Sequence, residues 1–169
     1  MKRKAIIIDI DNCVLDTQFI LDEIHKLGLK GEEKWEYFYE HCNSDRVEVI
    51  PETKRFLDTI DSGYYVAKEN IIDGFDSYTH CDRQKYVIII STARNEKCRE
   101  ATEDKLFDEH IGFDKMYMRK QDDLRPACEV KREHLLEIMK EFDIIAFIDD
   151  DIENCEMAKE LGILSLRRV

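Results

Sequence analysis

Three stretches of this chain place polar, reactive side chains directly after short apolar runs. Ala5-Ile6-Ile7-Ile8 runs into Asp9-Ile10-Asp11, Val87-Ile88-Ile89-Ile90 into Ser91-Thr92, and Ile144-Ile145-Ala146-Phe147-Ile148 into Asp149-Asp150-Asp151. A fourth residue, Lys131, precedes the apolar stripe Leu135, Ile138, Met139 and Phe142. Carboxylates gathered in one place repel one another and are costly to desolvate unless a cation holds them. Oxygen donors of high charge suit Mg²⁺, which keeps several waters and favours substrate phosphates. A carboxylate can attack phosphorus as a covalent nucleophile. A second carboxyl two residues away can protonate the leaving oxygen and later activate water. A hydroxyl and a lysine would supply donors to the phosphoryl oxygens as charge shifts.

These groups converge only if the runs are neighbouring strands. The runs are β-branched and continuous rather than alternating, as strands buried on both faces of a parallel sheet should be. Ile163-Leu164 and Met116-Tyr117-Met118 are shorter strand candidates. Helical stripes lie between them. Trp35, Phe38, Tyr39 and Cys42 form one. Phe56, Leu57 and Ile60 form another after Pro51, a first-turn proline. A third is Ile152, Cys155, Ala158 and Leu161, stopped by Gly162. Alternating strands and helices predict an α/β three-layer, Rossmann-like fold with a parallel central sheet. In such a sheet the carboxyl ends of the strands share one edge, where ligands bind. Two segments exceed a minimal version. Residues 16–46 carry two amphipathic helices, a small helical cap insertion, and residues 62–86 read as a second insertion. Residues 1–169 otherwise read as a single domain.

The acidic set, the hydroxyls and the lysine, in this order, resemble the haloacid dehalogenase (HAD) superfamily of phosphatases. Its motifs are a strand followed by D-x-D, a strand ending in Ser or Thr, a helix-start Lys, and a strand ending in an acidic pair. The resemblance implies Asp9 as nucleophile and Asp11 as general acid/base. Ser91, with Thr92 as its competitor, and Lys131 would contact the phosphoryl group. Asp9, Asp11 (through its backbone carbonyl), Asp149 and Asp150 would surround Mg²⁺, with Asp150 the direct ligand and Asp149 its neighbour. Asp151 reads as a cap of the following helix. The family usually has Gly-Thr or Gly-Val after D-x-D. Here Asn12-Cys13 stands instead, and Asn tolerates left-handed backbone.

Residues 87–161 are more specifically similar to the phosphatase half of phage polynucleotide kinase/3′-phosphatase. The likeness rests on Ser91-Thr92-Ala93-Arg94, Met118-Arg119, Asp123-Leu124-Arg125, Val130-Lys131 and Ile148-Asp149-Asp150. It implies removal of a 3′-phosphate from a nucleotide or nucleic acid end, with Arg94, Arg119 and Arg125 binding substrate. The sequence has no G-x-x-x-x-G-K-[ST] loop for a kinase. A 5′-nucleotidase or another small-molecule phosphatase is the alternative. A phospho-receiver domain would carry its acidic pair before the phosphorylated Asp, the reverse of the order here. A binding module that kept the fold without catalysis would tolerate loss of Asp9.

Composition limits the partners. Lys and Arg number 26 against 38 Asp and Glu, a net charge of −12. That disfavours a broad grip on duplex phosphates or on an anionic membrane. A nucleic acid would be held at its end. No apolar run approaches a membrane span. The basic start Met1-Lys2-Arg3-Lys4 leads to an apolar stretch too short for a secretion signal, so a cytoplasmic protein is expected. The six cysteines show no C-x-x-C pair and read as reduced, mostly buried thiols. The five histidines form no cluster and read as structural or surface residues.

Overall fold

A computed structural model describes residues 2–60 and 86–169. The order of elements is β1 (Arg3–Ile8), β2 (Leu15–Asp16), α1 (Gln18–Leu27), α2 (Gly31–His41), β3 (Glu48–Val49) and α3 (Pro51–Ile60). After the undescribed stretch come β4 (Val87–Asn95), α4 (Arg99–Asp108), β5 (Lys115–Arg119), α5 (Ala127–Glu141), β6 (Phe142–Asp149), α6 (Ile152–Glu160) and β7 (Ser165–Arg167). The expected second insertion lies, Tyr86 apart, outside the described residues.

The central sheet has the order β5-β4-β1-β6-β7, and every pairing in it is parallel. The chain leaves β1 towards β4 and β5, then returns to β6 on the other side of β1. The end of β1 is therefore the topological switch point, the crevice that such sheets use for ligands. Alternate residues of each strand feed two cores. Ile6, Ile8, Ile88 and Ile90 face Ile20, Ile24, Phe38, Leu57 and Leu106 of α1–α4. Ala5, Ile7, Val87 and Ile89 face Leu135, Ile138, Met157 and Ala158 of α5 and α6. Both sheet faces are thus covered, which is why the strands read as unbroken apolar runs.

The two helices of the insertion are present as α1 and α2. They are bracketed by the antiparallel pair β2–β3, in which Leu15 faces Val49 and Asp16 faces Glu48. The last strand departs from expectation. Ile163 is buried, but pairing begins at Ser165, which lies opposite Phe147. Among the described residues no helix is long and apolar enough to cross a membrane. The five described cysteines are free thiols, four of them buried.

Candidate active site

Asp9 follows the last residue of β1, and its N–H donates to the Ile148 carbonyl of β6 at 3.0 Å, tying the first motif to the fourth. The chain then turns tightly. The N–H groups of Cys13, Val14 and Leu15 all donate to the Ile10 carbonyl. Asn12, at φ 55°, sits in the left-handed region that its residue type tolerates. Its side-chain oxygen accepts from Thr17, and its amide donates to Asp150 Oδ2 at 3.4 Å.

Lys131, in the first turns of α5, is 2% exposed and places its ammonium between two carboxylates. Nζ lies 2.9 Å from Asp9 Oδ2 and 2.7 Å from Asp149 Oδ2. Asp149 is fully buried and saturated, because its Oδ1 also accepts from the Asp151 N–H and the Asn154 amide, each at 3.0 Å. Asp151 caps α6 by accepting from the Glu153 N–H, as expected. Asp9 differs: its Oδ1 is buried and, among the described residues, accepts no hydrogen bond. Burial pushes the Asp9 carboxyl up to about 8; Lys131 opposes this, and Asp149 and Asp11 add to it. Burial and then Asp149 raise Asp150 as well.

Fully ionised, Asp9, Asp149 and Asp150 against the single Lys131 would carry a formal charge of −2, which burial resists and a divalent cation would balance. Ligand atoms of Asp9, Cys13 and Asp150 lie within 4.8 Å of one another, close enough to share one ion. Of these, the Asp9 and Asp150 carboxylates are hard oxygen donors that fit Mg²⁺, whereas a thiol does not. The Cys13 thiol is held protonated by burial and by Asp9, Asp149 and Asp150. Asp149, wholly buried and already accepting from three donors, is less open to an ion than Asp150.

The Asp11 carboxylate is the business of Arg94. That guanidinium is buried and uses all five N–H groups: Nε and Nη2 grip Asp11 (Nη2 at 2.7 Å), Nη2 also reaches the Cys42 carbonyl, and Nη1 reaches Asn43 and Thr102. Arg94 was expected to bind substrate. It has no donor left, and it instead ties the general acid/base candidate to the loop after α2 and to α4.

The two hydroxyls of the second motif sit in different hydrogen bonds. Ser91 Oγ lies 3.0 Å from His134 Nδ1, while His134 Nε2 faces the Met118 carbonyl at 3.2 Å. A carbonyl only accepts, so Nε2 carries the proton. Burial pushes His134 down to about 4 and keeps it neutral, so Nδ1 accepts and Ser91 donates. The proton of Ser91 is therefore committed. Thr92 Oγ1 accepts from the Arg94 N–H at 3.1 Å, a bond that does not use its own proton, and the residue is fully buried.

Arg119 spends Nε on the Ala93 carbonyl and Nη1 on the Asp123 and Arg125 carbonyls, which anchors the loop beyond β5. Arg125 pairs with Asp123 and Glu133 at the surface, so its guanidinium is engaged by acids rather than aimed at the cluster. Sequence reasoning missed His134, Asn154, Asn43 and the C-terminal pair Arg167 and Arg168. Arg168 donates to the Asn12 carbonyl, and Arg167 to the Asp150 carbonyl at 3.0 Å. No motif marks them; only the placement of β7 beside β6 brings them to this edge.

A D-x-D at the switch point, a buried lysine bridging it to a strand-end acidic pair, and parallel strands covered on both faces define a HAD-fold phosphatase domain. Residues 51–167 match the polynucleotide kinase PNKP phosphatase domain, and the chain belongs to that family. No curated protein sequence matches the chain. Among solved structures, a chain of the Pnkp1/Rnl/Hen1 RNA repair complex is similar with TM-score 0.69 and 19% identity, over 99% of this chain and 42% of that one. The present chain thus spans less than half of that relative. A haloacid dehalogenase-like hydrolase, SP0104 from Streptococcus pneumoniae, aligns with TM-score 0.61 and 14% identity, over 96% of this chain and 83% of that one. The HAD family enzyme BT-2542 from Bacteroides thetaiotaomicron, in complex with magnesium and inorganic phosphate, aligns with TM-score 0.54 and 15% identity, over 98% of this chain and 94% of that one.

Proposed function

We propose that this domain hydrolyses phosphomonoesters through a phosphoaspartate on Asp9, with a nucleotide or nucleic acid 3′-phosphate as substrate. The observation that carries the chemistry is the asymmetry of Asp9: Oδ2 is pinned by Lys131, while Oδ1 is buried with no partner. An oxygen so placed is desolvated and oriented for attack on phosphorus. Asp11, held by the Arg94 fork, gives its proton to the leaving oxygen as the P–O bond breaks. It then takes a proton from the water that attacks phosphorus and releases Asp9 and phosphate. Lys131 Nζ and the Thr92 hydroxyl donate to the phosphoryl oxygens. Asp9, Asp150 and the Asp11 carbonyl would hold Mg²⁺, which would supply charge neutralisation to the phosphoryl group.

The nucleic acid reading draws support from family membership and from the likeness to a chain of an RNA repair complex. The test is a panel of phosphate-release assays with Mg²⁺ on a 3′-phosphorylated oligonucleotide, a 3′-nucleotide, a 5′-nucleotide and a sugar phosphate. Turnover of the first two, lost in Asp9→Asn, is the expected result. Turnover confined to the 5′-nucleotide would favour the 5′-nucleotidase alternative. Phosphate release retained by Asp9→Asn would refute the mechanism.

A further inference from the structure

The α2 stripe does not behave as a buried helix face throughout. Phe38 and Cys42 are buried, but Trp35 is 47% exposed and Tyr39 half-buried. The Trp35 and Tyr39 rings stack, 6.4 Å between centroids and 26° between planes. Each carries a cation: Lys34 Nζ lies 4.5 Å from the Trp35 ring centroid, and Lys97 Nζ lies 5.0 Å from that of Tyr39. At 100° per residue, Glu33 and Glu40 fall about 160° and 140° round the helix from Trp35, whereas Glu32 falls within about 60° of it, on the side of Tyr39.

This aromatic stripe leads to the site. Burial raises the Tyr39 hydroxyl, and the charges acting on it include Arg119 and Asp11. One residue beyond α2, the Cys42 carbonyl accepts from Arg94, the same guanidinium that grips Asp11. At about 1.5 Å per helical residue, Tyr39 lies roughly 5 Å and Trp35 roughly 10 Å along the axis from Cys42. At about 3.4 Å per stacked nucleotide, that distance suits some three nucleotides of a single strand.

We propose that Trp35 and Tyr39 form a stacking platform for the last bases of a single strand whose terminal phosphate enters the Asp9 site. Exposed aromatic faces flanked by cations are the chemistry of single-strand binding without sequence preference. The platform also answers how a chain of net charge −12 holds a polyanion: by base stacking, with two cations (Lys34 and Lys97) over the rings, rather than by a broad basic surface. The inference rests on the nucleic acid reading above.

Trp35 is the only tryptophan in the chain, so its fluorescence reports on its own ring. The inactive Asp9→Asn protein is titrated with 3′-phosphorylated single strands of one to six nucleotides. Quenching is expected, with affinity rising to about three nucleotides and then levelling. In the active protein, Trp35→Ala should raise KM for a 3′-phosphorylated oligonucleotide between about 5- and 150-fold. It should leave kcat, and turnover of p-nitrophenyl phosphate, unchanged, while Trp35→Phe retains most of the effect. Unchanged fluorescence, or equal oligonucleotide KM in wild type and Trp35→Ala, would overturn the platform. If the wild type hydrolyses oligonucleotides yet shows that equality, only the platform falls. If it hydrolyses none, the nucleic acid reading falls with it.

Discussion

Replacing Arg94 separates two roles that an arginine near a phosphatase site can have. A substrate-binding arginine raises KM when removed and leaves stability nearly unchanged. A positioning arginine does the reverse. The Arg94 side chain is wholly buried and that of Asp11 is 21% exposed. Arg94→Met keeps the length and apolar stem but removes every donor. Asp11 can turn partly to water, whereas the Cys42 carbonyl and Thr102 lose a buried partner. Breaking a buried ion pair from one side costs about 3–5 kcal/mol. For a domain of this size, each kcal/mol lowers Tm by about 2–4 °C. Urea unfolding should therefore show a loss of about 3–5 kcal/mol, and thermal scans a fall of roughly 6–20 °C. With Asp11 no longer aligned, kcat on p-nitrophenyl phosphate should fall about 100-fold while KM moves less than threefold. Arg94→Lys keeps a charge but not the fork and should fall between. In a double-mutant cycle with Asp11→Asn, the two stability losses should be far from additive. An Arg94→Met protein within about 1 kcal/mol of wild type, with KM raised and kcat intact, would refute this assignment.

The remaining predictions concern the other polar groups at the sheet edge. Ser91→Ala should cost about 1–3 kcal/mol, read by urea unfolding, because His134 Nδ1 loses its donor, with kcat little changed; Thr92→Val should lower kcat by about 10²-fold or more. Burial without a divalent cation raises the Asp9 carboxyl from its ordinary 3.8 towards about 8, against the pull of Lys131, so folding favours its protonated form. Without a divalent cation, stability measured by urea unfolding should therefore fall as pH rises from about 4 to about 8. Asp9→Asn should flatten that slope, and Mg²⁺ should restore wild-type stability at pH 8. Asp150→Asn should weaken Mg²⁺ binding, read by calorimetry, with a small change in Tm, whereas Asp149→Asn should mainly lower Tm because it sits among Lys131, Asn154 and the Asp151 N–H. Arg125→Ala should shift stability by under about 1 kcal/mol and leave kcat unchanged, since its ion pairs are at the surface.

Much of the fold was legible because both faces of the sheet are covered. That coverage forces unbroken β-branched runs, and the residue after each run marks the functional edge. The strand at Ser165–Arg167 was misplaced by two residues because its apolar signal, Ile163, belongs to the turn that packs under the sheet rather than to the ladder. At the site, residue type and order located Asp9, Asp11, Lys131, Asp149 and Asp150 at one edge. Hydrogen-bond saturation was not legible. Nothing in Ser91-Thr92-Ala93-Arg94 says that His134, 43 positions away, accepts the Ser91 hydrogen bond, or that Arg94 finds five acceptor atoms drawn from three other elements. Those facts depend on which side chains the crossovers bring together.

The same count of donors shows that four carboxylates in one crevice have four different surroundings. Asp149 has three donors and becomes scaffold. Asp11 has a guanidinium fork and some access to solvent, so it is held in place yet can exchange a proton with water. Asp150 has one long bond from Asn12, which leaves it the most available to a cation. Asp9 is divided, one oxygen tethered to Lys131 and the other buried without a partner. Charge alone would treat the four as equivalent. The number and placement of donors around each sets the four apart, and under the proposed mechanism that difference suits one to support, one to proton transfer, one to metal binding and one to nucleophilic attack; those donors come from the helices and turns that follow the strands.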